Sequence, residues 1–217
     1  MKEKVGTVFS IAKDNPPVPG CTISRSIYSG MNEIAYFSLA KGTDISAESY
    51  PYYKLLIVAE GRMEVYGTDG FCKALGVGEC MVTLPDTPMG VRTAEGAVYT
   101  EITIRRKNTM NDAVKAGEVF KLADLVPYAD GRIVNMDLVH NDKMKFVVMA
   151  FDAGTGLSEH AAPGEAILFA LDGEGVIGYE GKDHPIKAGE NFHFAKSGLH
   201  SVKATKKFKM ALLLMLE

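Results

Sequence analysis

Leu157 to Gly175 reads LSEHAAPGEAILFALDGEG, and the fold follows from how this stretch is punctuated. A Gly-rich turn, Ala153-Gly154-Thr155-Gly156, leads into it. Pro163-Gly164 makes a corner inside it, and Asp172-Gly173 closes the apolar run Ile167 to Leu171. Strand formers set between turn formers in this way predict strand, corner, strand. The pattern occurs twice. Ile45 to Gly61, ISAESYPYYKLLIVAEG, lies under Leu157 to Gly173 without a gap at an offset of 112, with Pro51 under Pro163 and Gly61 under Gly173. A tract repeated with its turns in step predicts two copies of one structural unit.

Working outward, the copies stay aligned. Gly6 to Ala12 lies under Gly117 to Ala123 as a short leading segment, and Glu33 to Leu39 matches Lys145 to Phe151. Met63 to Gly67 matches Gly175 to Tyr179, Leu75 to Glu79 matches Ile186 to Glu190, and final strands run from Val98 to Arg105 and from Phe208 to Leu216. Length differences fall in turns, where insertions are tolerated. Helical periodicity is nearly absent, with one turn of helix expected at Asn111 to Ala116. The fold class expected is therefore all-β, two tandem antiparallel sandwiches or barrels spanning 1–108 and 113–217, with a polar linker near 107–116.

The bulk numbers exclude some partners. A formal net charge of −3 over 217 residues argues against nucleic acid and anionic membrane. The densest basic cluster, Lys203, Lys206, Lys207 and Lys209, reads as a solvated strand edge. MKEKVGTVFS has no apolar core of the kind an export signal needs, so a cytoplasmic location is expected. The three cysteines, Cys21, Cys72 and Cys80, lack metal-like spacing and read as reduced, buried apolar residues.

The motif spacing resembles a known family. Gly154 is followed after five residues by His160, then the Pro-Gly corner and an apolar strand ending in Asp-Gly; Gly189 is followed after ten residues by His200. These resemble the two motifs of the cupins. Both halves are similar, so the whole chain resembles a bicupin, and Glu159 to Ala166 with Phe208 to Leu213 resembles single-domain cupins of no settled activity. The resemblance implies two double-stranded β-helix barrels of the jelly-roll type. It implies no single chemistry, since cupins include isomerases, dioxygenases, decarboxylases, sugar-binding and storage proteins.

Metal-binding cupins offer four ligands from the two motifs, and carrying these positions onto the second half gives His160, Ala162, Ala166 and His200. Two imidazoles and two alanines would hold a divalent ion (Zn, Ni, Mn or Fe) only weakly. Glu165 lies one residue from the carboxylate position, and a one-residue slip turns a strand side chain to the opposite face. Strand parity places Phe192 and Phe194 inside and His193 against the outer layer or solvent. His140 and His184 read as surface imidazoles. In the first half the equivalent positions are Glu48, Tyr50, Lys54 and Met89, which cannot make a metal cage. Glu48 and Lys54 share parity and are expected to pair or to meet water or a charged ligand.

Parity also predicts a mainly apolar pocket in the second barrel, lined by His160, Ala162, Ala166, Leu168, Phe192, Phe194, His200 and Val202. The function expected is binding of a small, partly apolar metabolite there without turnover, in a monomer or loose homodimer. The alternative is a metal-dependent isomerase or dioxygenase using His160 and His200 as ligands. Metal-free catalysis by either imidazole would require an orienting carboxylate, and parity supplies none in that barrel.

Overall fold

The computed structural model describes residues 1–105 and 110–216. In chain order the strands are β1 (Val8–Phe9), β2 (Thr22–Tyr28), β3 (Ile34–Leu39), β4 (Asp44–Glu48), β5 (Tyr53–Gly67), β6 (Cys72–Gly76), β7 (Glu79–Val82), β8 (Met89–Arg92) and β9 (Ala97–Ile104). They continue with β10 (Val119–Lys121), β11 (Ile133–His140), β12 (Met144–Phe151), β13 (Gly156–Ala161), β14 (Glu165–Tyr179), β15 (Lys182–Lys187), β16 (Asn191–Phe194), β17 (Leu199–Lys203) and β18 (Phe208–Met215). The fold is all-β, as two curled antiparallel barrels.

One long strand organises each barrel. The first half of β14 pairs with β16 and β18, and its second half pairs with β15 and β17. In the other copy β5 divides itself in the same way among β7, β9, β6 and β8. The expected stop at Asp172-Gly173 is therefore a bulge within one strand, with the register shifting between Ala170 and Asp172. Gly173 has φ +70°, and a Cβ there would overlap the Lys207 carbonyl oxygen; Gly61, at φ +74°, would overlap that of Gly96. A side chain fits neither bulge, which is why the glycine recurs in both copies.

The two compact units exchange their leading strands. Among the described residues, the first is made of 1–2, 11–105 and 112–121, and the second of 3–10, 110–111 and 122–216. β1 pairs with β16 and β10 pairs with β7. The units are thus not the contiguous spans 1–108 and 113–217. An unpaired sheet edge is unfavourable, and a two- or three-residue strand carries no local signal of which edge it will cover. Residues 107–109 of the expected linker lie outside the described residues. Residues 111–116 form turns, and the short helical segments are α1 (Ile11–Asp14) and a 3₁₀ turn at Leu122–Asp124, each anchored by a buried first residue. No helix among the described residues is long and apolar enough to cross a membrane.

The second barrel closes on a core that includes Ala162, Ala166, Leu168, Ile177, Phe192, Phe194, Val202 and Phe208. The first closes on Leu56, Val58, Met63, Val65, Leu75, Met81 and Tyr99. Each fully buried Leu, Ile or Phe contributes about 1.5–3 kcal/mol, so these cores dominate stability. Only Cys80 of the three cysteines is buried; Cys21 and Cys72 are exposed, because each stands at or beside the start of a strand.

Candidate functional site

β13 and β17 set His160 directly opposite His200, the register slipping between Leu157 and His160. The ring centroids are 4.2 Å apart and the planes tilt by 52°. His200 is 4% exposed, whereas His160 stands exposed at the rim. Each Nδ1 lies on the carbonyl two residues before it, 2.8 Å from Ser158 O for His160 and 3.0 Å from Gly198 O for His200. A carbonyl only accepts, so Nδ1 carries a proton in both rings, and in the neutral ring Nε2 is the acceptor. Burial lowers the His200 pKa, opposed by the Gly198 hydrogen bond and reinforced by His160. At neutral pH the buried ring is a neutral acceptor.

Beneath the pair lies a packed floor. Phe194 is 4.6 Å from His200 between centroids, Phe192 is 4.8 Å from Phe194, and Tyr179 meets both edge-on at 5.6 and 5.9 Å. Ala162, Ala166, Leu168, Phe192 and Phe194 face inward as parity predicts, but they are core side chains with almost no water-accessible surface. They support the histidines rather than line an open pocket, because the aromatic rings fill the space the alanines leave. Two neighbours escaped the sequence reading. Tyr179, opposite His200 in register, accepts a hydrogen bond from Ala195 N at 3.3 Å, and Leu199 presents an apolar surface 45% exposed beside the pair. Tyr179 lies past the Asp-Gly bulge, where the strand was expected to have ended.

The remaining titratable candidates turn elsewhere. Glu165 points away from the barrel axis, and its Oε1 lies 3.6 Å from His193 Nε2. His193 is fully buried in the outer layer, its Nδ1 donating to Glu3 O at 2.7 Å, while its Nε2 makes no hydrogen bond. Burial lowers its pKa, the Glu3 bond and Glu165 partly offsetting this. His140 is exposed beside Asp137, and His184 is half-buried with its ring 5.2 Å from Phe192. Among the described residues no three His, Cys, Asp or Glu side chains come together as a metal site would require. With alanine at the other two motif positions, the residues present do not fit a tightly held ion.

In the first barrel the same backbone positions carry different chemistry. Glu48 is opposite Met89, just as His160 is opposite His200. Glu48 and Lys54 do not pair with each other. The Tyr50 hydroxyl donates to the Glu48 carboxylate, and Lys54 Nζ reaches Glu101 Oε1 at 2.9 Å while lying 3.8 Å from the centre of the Tyr50 ring. The Glu48 hydrogen bond pushes the Tyr50 phenol up to about 12. Burial raises the Glu101 carboxyl, and Lys54 opposes that shift. Glu101 was not among the sequence candidates. Its signal is the alternation Tyr99, Glu101, Thr103 within β9, which puts it on the same face as Tyr99, a core side chain.

Residues 147–216 match the family model for the cupin domain. Over 99% of this chain and 98% of the other, the structure is similar to a cupin 2 conserved barrel domain protein from Leptotrichia buccalis, with 26% identity and a TM-score of 0.87. Protein Ylba from E. coli shares the fold at 14% identity over 98% of this chain and 92% of its own, with a TM-score of 0.61. So does a salicylate 1,2-dioxygenase from Pseudoaminobacter salicylatoxidans, whose structure includes adducts with gentisate, at 10% identity, 88% and 73% coverage and a TM-score of 0.63. No functionally curated protein matches the chain in sequence. The second half of the chain is thus similar to the cupin domain, and the chain as a whole is similar in fold to that cupin 2 barrel protein.

Proposed function

We propose that the second barrel binds, without turnover, a small organic molecule that presents hydrogen-bond donors to His160 and His200. The observation that carries this reading is the opposed pair of rings with both Nδ1 protons committed to the backbone. The neutral acceptor of His200 beside the Nε2 of His160 favours a donor-bearing ligand, such as a vicinal diol or diphenol, over an anion. The exposed part of Leu199 supplies an apolar surface for the ligand's body. Binding rather than catalysis is favoured because Glu165, one residue from the motif's carboxylate position, faces His193.

The metal-dependent isomerase or dioxygenase is supported by the same two open Nε2 atoms, and two assays separate the readings. Titration with catechol, whose adjacent hydroxyls match the pair, is expected to give saturable heat that His160→Ala and His200→Ala each abolish. Unchanged heat in both variants overturns the binding site. Near-stoichiometric metal in protein purified without chelator, lost in the same variants, would favour the enzyme instead.

A further inference from the structure

The duplication provides an internal control for what the fold requires. At the positions of Lys54 and Glu101 the second barrel has Ala166 and Leu212, in the same strands and the same register. That barrel closes with apolar side chains, so the charges of the first are not needed to build it. A recessed ion pair rarely stabilises more than apolar residues of similar size. We propose that the mouth of the first barrel is a second, metal-free site, where Lys54 and Glu101 transfer a proton on a small enolisable carbonyl compound.

The geometry has the parts for this. Lys54 and Glu101 side chains are 18% and 17% exposed, recessed yet reachable. The ammonium is held from two sides, by Glu101 at 2.9 Å and by the Tyr50 ring at 3.8 Å, which leaves an N–H for a ligand oxygen. Tyr50 is itself fixed through its hydroxyl to Glu48. A carbonyl oxygen accepts from Lys54 while the adjacent C–H faces Glu101. The C–H bond breaks, its proton goes to the Glu101 carboxylate, and its electron pair forms an enolate whose oxygen stays on Lys54. Return of a proton from Glu101 to carbon restores a ketone or aldehyde, so no redox partner is needed. Burial raises the Glu101 carboxyl toward neutrality, where a general base works best.

The test is deuterium wash-in to dihydroxyacetone in D2O, followed as loss of the methylene proton signal. Wild-type protein is expected to exchange the probe saturably, and Glu101→Gln and Lys54→Met to lower that rate about 100-fold. Surface lysines and carboxylates remain in both variants and set the background. The double variant Lys54→Ala/Glu101→Leu copies the side chains of the second barrel, so it is expected to fold, as a thermal melt checks, and to lose the exchange. Wild-type exchange no faster than that of Glu101→Gln, or exchange persisting in the folded double variant, overturns the proposal and leaves a structural ion pair.

Discussion

His193 and His200 show how one residue's surroundings become a property of the protein. Both imidazoles are buried, and burial lowers both pKa values below that of a free histidine. The unfolded chain, with ordinary histidines near 6.5, therefore binds protons that the folded chain refuses. Stability from these groups is complete above the unfolded pKa and is lost as pH falls below it toward the folded values. The urea midpoint is expected to fall between pH 7.5 and pH 5.5, and less steeply in His193→Leu. A midpoint equal at the two pH values would contradict the burial argument. At this scale parity was legible, since the alternation in Asn191–Phe194 assigns the phenylalanines inward and His193 outward. The partner of Lys54 was not, because Glu101 reaches it only through pairing of β5 with β9.

At the scale of elements, the long strands β5 and β14 carry the architecture, and their glycine bulges are the points at which each changes sheet. Gly173→Ala combines a positive φ with overlap on the Lys207 carbonyl, whereas Gly154, at φ +82°, has open space around it. Gly173→Ala is expected to cost more than the roughly 1–3 kcal/mol of a strained backbone position, and Gly154→Ala to stay within that range. Denaturant unfolding of both variants checks the order, and equal losses would mean that the bulge relaxes freely. The element positions were readable because each strand is bounded by Gly, Pro, Asp or Asn. The bulge was misread as an end, since Asp-Gly marks a turn and a bulge alike.

For the whole molecule, the leading strands make both units depend on distant chain segments. Val8 and Phe9 pair with Phe192 and Asn191, Gly6 N donates to His193 O, and Glu3 O receives the His193 proton. Removing residues 1–9 is expected to speed amide hydrogen exchange across Asn191–Phe194 while β18, paired on both sides, keeps its protection. Unchanged exchange in β16 would show that β1 contributes little to that edge. Duplication, strand order along the chain and the inward or outward sense of most side chains were written in the sequence alone, because turn residues and two-residue alternation are local properties. Tertiary structure alone decided which edge each leading strand covers, that the aromatic rings fill the second barrel beneath its histidines, and that Lys54 is joined to Glu101. Those outcomes depend on which strands lie side by side, and pairing between segments far apart in the chain leaves no local pattern to read.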